Sequence, residues 1–221
     1  MPRIALIHAV TVAVQPIREA FGSLWPDAEL VNLLEDSLSP DRARDNALTA
    51  AMTERIHALG RYALTAGADG ILYTCSAFGS AIEEFASSVA VPVLKPNEAM
   101  FEEALRLGGQ IGMLATFGPS VASMESEFAE AAAVRGSQAR VRTVLIEPAM
   151  AALRRGDIAT HNRLLADGAS ALTGVDAIML AHFSTARALE AVAAQVFCPV
   201  LTSPHSAVRA LQARLGSRQA P

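Results

Sequence analysis

One pattern occurs twice in this chain, and that repetition limits the possible folds more than any short motif does. Adding 107 to a residue number carries Gly67 onto Gly174, Asp69 onto Asp176, Ile71 onto Ile178 and Glu83 onto Glu190. It also carries Pro92-Val93-Leu94 onto Pro199-Val200-Leu201, Ile4 onto Ile111 and Phe21 onto Phe128, all without a gap. The chain is therefore read as a duplicated module. An N-terminal lobe covers 1–108 and a C-terminal lobe 109–221, with the boundary at Gly108-Gly109 and the terminal helix free to cross over to the first lobe.

Each module alternates strand and helix patterns, the signature of a parallel sheet with helices packed on it. In the first, strands are expected at 3–9, 31–34, 71–74 and 92–94, with helices at 16–24, after Gly79 and at 97–107. Ser39-Pro40-Asp41 is expected to cap one long helix whose apolar face includes Leu48, Met52, Ile56, Leu59 and Tyr62. In the second, strands are expected at 111–116, 141–146, 178–182 and 200–201. Its helices are placed at 119–134, 148–172 with a break near Gly156-Asp157, 186–196 and 207–215. The fold class is α/β: two pseudo-symmetric Rossmann-like lobes, each a four-stranded parallel sheet flanked by helices. Two such lobes joined without a linker are expected to face each other across a cleft that holds the active site.

Composition enters here by exclusion. Hydrophobic residues make up 52% and charged residues 18%, and the net charge is −4, so no basic face offers itself to nucleic acid. The opening MPRIALIHAV runs straight into a strand without the basic start and cleavage site of a signal peptide, and no apolar run approaches membrane-spanning length. Two distant cysteines, Cys75 and Cys198, then point to reduced thiols in the cytoplasm. Cys198, within VFCPV, is read as core packing, and Arg154-Arg155 as a solvated helical turn.

The chemistry centres on GADGILYTCSAFGSAIEEF, a buried strand that stops at Cys75 and turns at once into a helix. Open α/β sheets place ligands at the carboxyl ends of their strands. The N–H groups that open the following helix favour thiolate over thiol and can hold a carboxylate, which nominates Ser76 and Ala77 beside Cys75. The offset of 107 puts His182 of DAIMLAHFSTA in register with Cys75, and Phe183 and Ser184 with the residues after it. Two acid/base groups on opposite faces of one carbon are what proton removal and return with inversion require. His8 ends the first strand and is placed on the cleft rim, as a substrate contact or a helix cap. Thr116, ending the matching strand, and Phe117 to Ser120 offer hydroxyl and N–H donors to an anion. Lys95, Asn97 and His205 follow the fourth strands and stand as further rim candidates. No phosphate loop, dinucleotide fingerprint or helical zinc pair is present, so neither a metal nor another cofactor is expected.

On these residues the chain resembles the aspartate/glutamate racemase superfamily, which includes amino-acid and hydantoin racemases, maleate isomerase and arylmalonate decarboxylase. The resemblance rests on TCSAFG around Cys75, on IGMLATFGPS at 111–120 and on the duplication itself. It implies a cofactor-independent enzyme in which two cysteines flank the substrate carbon while backbone amides and hydroxyls hold its carboxylate. The chain departs from that pattern where a Gly-Cys-Thr motif would stand, carrying Ala181-His182-Phe183-Ser184 instead.

The resulting expectation is a racemase or epimerase acting α to a carboxylate of a small acid or amino-acid derivative. Cys75 is the thiolate base and His182 the opposing acid. Decarboxylation or cis–trans isomerisation by Cys75 alone is the alternative, and a non-catalytic small-anion binding protein is the reading from another class. Phe78, Phe117 and Phe183 lean towards a partly apolar ligand. Such lobes are compatible with a homo-oligomer, and nothing in the sequence specifies an interface.

Overall fold

The computed structural model describes residues 1–45 and 47–219. Its contacts divide the chain into two compact units, one formed by Met1–Ala99 with the segment from Ala207 onward, the other by Met100–Ser206. The division falls ahead of Gly108-Gly109, inside a helix, and the last two residues of the sequence lie outside the described residues.

The first unit runs β1 (Arg3–His8), α1 (Val14–Leu24), β2 (Glu29–Leu34), α2 (Leu38–Arg44), α3 (Ala50–Thr65), β3 (Gly70–Tyr73), α4 (Gly79–Ser88) and β4 (Val93–Leu94), and then enters α5 (Glu98–Leu107). Its sheet has the order β2-β1-β3-β4, all parallel. The central strands are apolar on both faces because helices cover both. Ala5, Ile7, Ile71 and Tyr73 pack against Ile56 and Ala63 of α3 and Ala81, Ile82 and Phe85 of α4. The edge strand β2 is only partly buried.

One expectation fails here. The long helix introduced by Ser39-Pro40-Asp41 is two helices, because Asp45 is extended and ends α2. The next helix has its own cap, the Thr49 Oγ1 accepting the Met52 N–H at 3.2 Å. Tyr62, expected on the apolar face, is 60% exposed.

The second unit repeats the plan with β5 (Gln110–Ala115), α6 (Val121–Val134), β6 (Arg140–Leu145), α7 (Glu147–Arg154), α8 (Ile158–Ala169), β7 (Ala177–Leu180), α9 (Leu189–Ala193) and β8 (Val200–Thr202), before α10 (Ser203–Gln219). Its parallel sheet has the order β6-β5-β7-β8. The helical break at Gly156-Asp157 is present, with the Asp157 carboxylate capping α8 through the Thr160 N–H at 3.0 Å. No helix among the described residues is long and apolar enough to cross a membrane.

The residues that repeat at the offset of 107 do the same work in each sheet. Ile4 pairs with Gly70 as Ile111 pairs with Ala177, and Ile71 with Val93 as Ile178 with Val200. The Asp69 carboxylate accepts the Arg3 N–H at 2.7 Å, and the Asp176 carboxylate accepts the Gln110 N–H at 2.8 Å. Each tie anchors the start of a central strand to the loop that leads into its neighbour. Gly67 and Gly174 turn that loop at φ +78° and +70°, a left-handed conformation that favours glycine.

The helices following the fourth strands explain where the units divide. Met100, Phe101 and Ala104 of α5 pack with Ile111, Met113, Met179 and Phe128 of the second unit, Phe101 meeting Phe128 edge-on at 5.7 Å between ring centroids. Conversely, Leu211 and Leu215 of α10 lie against Gly70 of β3, where a Cβ would meet them at 3.3 and 3.4 Å. Each of these helices thus packs on the sheet of the unit to which its contacts assign it.

Candidate active site

In both sheets the chain winds in opposite directions from the first and third strands of each unit, so the order reverses between β1 and β3 and between β5 and β7. The loops leaving these pairs part from one another, and ligands of open α/β sheets sit where they part. The first such point carries His8, Thr74 and Cys75; the second carries Thr116 and His182.

Cys75 follows β3 in ordinary extended conformation, at the head of a short 3-10 turn, Ser76–Phe78, that leads into α4. Its side chain is half-buried. Burial works against the thiolate that the helix N–H groups are expected to favour. Burial pushes the thiol up, and a backbone hydrogen bond from Ala77 only partly opposes this. Losing bulk water costs the sulfur anion more than the opening N–H groups return. Ser76 is half-buried and Ala77 exposed, and the Ala77 carbonyl accepts the Arg42 Nε–H at 3.3 Å.

His8 does not reach a rim. It is wholly buried, with Nδ1 2.9 Å from Thr74 Oγ1 and Nε2 3.1 Å from Asn32 Oδ1, and burial lowers its pKa. A ring engaged at both nitrogens ties β1, β2 and β3 together and holds the residue before Cys75; it has no edge left for substrate. Lys95 forms an ion pair with the exposed Glu83, and Asn97 is buried at the start of α5.

At the second point, His182 stands where Cys75 stands in the first unit, with a different backbone. Its φ of 72° and ψ of 153° lie in a region that is essentially glycine-only. Among the described residues it is the one non-glycine with positive φ. The buried Thr185 hydroxyl holds it there, lying against the Ala181 carbonyl and 2.8 Å from the His182 carbonyl. Asn162 of α8 secures the far end of the loop, donating to the Arg187 carbonyl at 2.9 Å. Phe183 and Ser184 are buried at the head of a 3-10 segment, Phe183–Ala188, whose first N–H groups have no acceptor within the turn.

Thr116 is 1% exposed, and its hydroxyl has no hydrogen-bond partner among the described residues. A buried hydroxyl left open at a strand end is a polar group that a ligand can satisfy. Phe117 beside it is 43% exposed. Ser120 Oγ lies 3.2 Å from His182 Nε2. His205 is half-buried at the start of α10, its Nδ1 2.7 Å from Thr202 Oγ1. Cys198 is half-buried against the apolar cluster on the α8 side of the second sheet.

Desolvation pushes the His182 imidazole down from 6.5 to about 4, although the side chain keeps some exposure to solvent. At neutral pH it is therefore uncharged. The shift also bears on stability. Below pH 6.5 the unfolded chain takes up a proton that the folded imidazole refuses, so the contribution is complete above 6.5 and is lost as pH falls towards about 4. His8 and His161, also lowered by burial, act in the same direction. Thermal melts across this window should show stability falling with acid, and His182→Gln should make that slope shallower. An unchanged slope would mean that His182 titrates normally in the fold.

Sequence reasoning missed four contributors: Asn32, Arg42, Ser120 as the partner of His182, and Thr185. Asn32 and Thr185 give no local signal, since their role depends on what lies beside them in the fold. In the sequence Ser120 stands only as one of a stretch of generic donors, Phe117 to Ser120. Among the described residues no group of three His, Cys, Asp or Glu side chains is arranged to hold a metal ion.

Comparison with solved structures places this architecture among known ones. Glutamate racemase RacE1 from Bacillus anthracis is similar with a TM-score of 0.73 and 12% identity, over 99% of this chain and 83% of that one. Allantoin racemase from Klebsiella pneumoniae gives 0.73 and 14%, over 100% and 90%. Unliganded arylmalonate decarboxylase gives 0.66 and 17%, over 98% and 94%. No curated protein matches by sequence. A model of the family described as Asp/Glu/Hydantoin racemase matches residues 8–172, a span that contains Cys75 and stops short of His182. With three quarters of its length matched and the same two-sheet fold, the chain belongs to the Asp/Glu/Hydantoin racemase family.

Proposed function

We propose that the protein is a cofactor-independent racemase or epimerase acting at the carbon α to the carboxylate of a small acid or amino-acid derivative, with Cys75 and His182 exchanging the proton. The observation that carries this reading is positional, and the direction of each pKa shift accords with it. The third strand of each unit ends in one proton-exchanging side chain, and at neutral pH these are a protonated thiol and a bare imidazole. One group is ready to give a proton and the other to take one.

This reverses the roles expected from the sequence. In the resting direction His182 removes the α-proton and Cys75 delivers one to the opposite face, leaving imidazolium and thiolate. The reverse reaction starts from that second distribution. The electron pair of the broken C–H bond passes into an enediolate. Donors to that anion are the N–H groups of Ser76, Ala77, Phe183 and Ser184 and the open hydroxyl of Thr116. Stabilising it is commonly the largest electrostatic contribution in such reactions.

The resting thiol also favours a second reading, a decarboxylase. Loss of carbon dioxide generates the same enediolate without any base, and a protonated Cys75 then suffices to quench it. Incubation with amino acids, hydantoins and malonates in heavy water separates the two. The racemase reading expects deuterium at the α-carbon together with loss of optical purity. Release of carbon dioxide from a malonate, with no exchange into any chiral acid, would replace it by the second.

A further inference from the structure

We infer that Ser120 is a positioning residue that holds His182 in the tautomer with its proton on Nε2, so that Nδ1 is the nitrogen that exchanges a proton with substrate. The inference rests on the reading of His182 as a proton-exchanging group, and its central measurement is independent of turnover.

The argument counts protons. Ser120 Oγ lies 2.8 Å from the Phe117 carbonyl and 3.2 Å from His182 Nε2. A hydroxyl has one proton to donate, and a carbonyl can only accept. With the hydroxyl proton committed to Phe117 at the shorter distance, the Ser120 oxygen faces the imidazole as an acceptor, and Nε2 must carry a hydrogen. The Phe117–Ser120 turn is closed by a second bond, from the Ser120 N–H to the same carbonyl at 3.3 Å. The hydroxyl is thereby kept at the head of α6. His182 is constrained from its other side by its glycine-like backbone and by the Thr185 hydroxyl on its carbonyl. These contacts fix the backbone from which the ring projects, and the Ser120 Oγ contact with Nε2 sets the orientation of the ring itself.

Among the described residues the ring of His182 meets Ser120 through Nε2, so the nitrogen that the tautomer leaves basic is the one turned away from that contact. In the forward step Nδ1 accepts the α-proton while the C–H electron pair enters the enediolate. The imidazolium keeps donating Nε2–H to Ser120, and the Ser120 hydroxyl keeps donating its own proton to the Phe117 carbonyl. The same hydrogen bonds serve the neutral and the charged ring, so the transfer demands no rearrangement around it.

Long-range proton–nitrogen spectra of protein labelled with ¹⁵N-histidine test this directly, with His182 assigned from the His182→Gly variant. At neutral pH the native protein should show His182 as Nε2–H alone. Ser120→Ala should mix the two tautomers and lower kcat at least about tenfold with a smaller change in KM, and Ser120→Thr should restore both. A native Nδ1–H signal overturns the inference. So does an Ser120→Ala protein that keeps the pure Nε2–H form, or one whose tautomers mix while kcat is unchanged. If the native protein turns over no acid at all, the functional reading fails while the spectrum of the free protein still decides the tautomer.

Discussion

Cys75→Ser should lose about two to four orders of magnitude in kcat while the protein folds as before. Serine matches cysteine in shape, and the side chain is half-buried at a strand end, so packing is little disturbed. The acidity changes completely. A hydroxyl is many pK units weaker than a thiol as an acid, and its conjugate base is too costly to form in a site whose desolvation already raises the thiol. Removing a positioned acid or base costs about 10²–10⁴ in rate. The loss should be the same in both reaction directions, because Cys75 is the acid in one and the base in the other. Ligand affinity should survive, since the proposed anion donors are backbone N–H groups and the Thr116 hydroxyl. Turnover retained by Cys75→Ser would remove the thiol from the mechanism. Tight anion binding with no turnover in either protein would instead indicate a protein that binds without catalysis.

The second large effect concerns His182, where activity and stability should move apart. Both His182→Ala and His182→Gly should lose two to four orders of magnitude in kcat, through loss of the imidazole. In most positions the glycine variant is the less stable of the two by about 0.5–1 kcal/mol, because glycine has more freedom to lose on folding. Here the order should invert. Any residue with a Cβ at φ 72° and ψ 153° carries strain of about 1–3 kcal/mol, which alanine keeps and glycine relieves. The net preference for glycine should approach about 1–2 kcal/mol, visible as a melting temperature a few degrees above that of the alanine variant. Alanine equal to or more stable than glycine would mean that the positive φ is not held in solution. In that case the imidazole is not anchored as described.

Strain of this kind persists only when surrounding contacts outweigh it. Thr185 and Asn162 supply those contacts in the second unit, whereas Cys75 in the first is reached by ordinary extended backbone. The two units therefore share a topology and differ in how they present their chemistry. A thiol stands at the end of an unstrained strand, and an imidazole is held on a bent one. That asymmetry fits a pair of unlike proton-exchanging groups better than a copied pair of thiols.

Much of this was legible in the chain itself. Short apolar runs bounded by turn residues and period-3.6 hydrophobicity are local properties, so the eight strands and most helices fall close to where the residues place them. Pairing Gly67 with Gly174 and Asp69 with Asp176 located the same turn and the same strand anchor in both sheets. What stayed hidden depends on distant neighbours. His8 ends a strand whether it faces a ligand or the core, and only Asn32 and Thr74 closing on its two nitrogens decide for the core. The apolar face of α5 is written in Met100, Phe101 and Ala104, but the sheet it covers is not.

By itself the sequence determined the alternating α/β plan, its repetition, and the alignment of Cys75 with His182, because spacing along the chain is enough to set strand ends. Tertiary structure alone decided how deeply each of those side chains is buried and which partners it meets, and so the direction in which each pKa moves. Desolvation and hydrogen-bond partners come from residues far apart in the chain, and spacing along it does not report them.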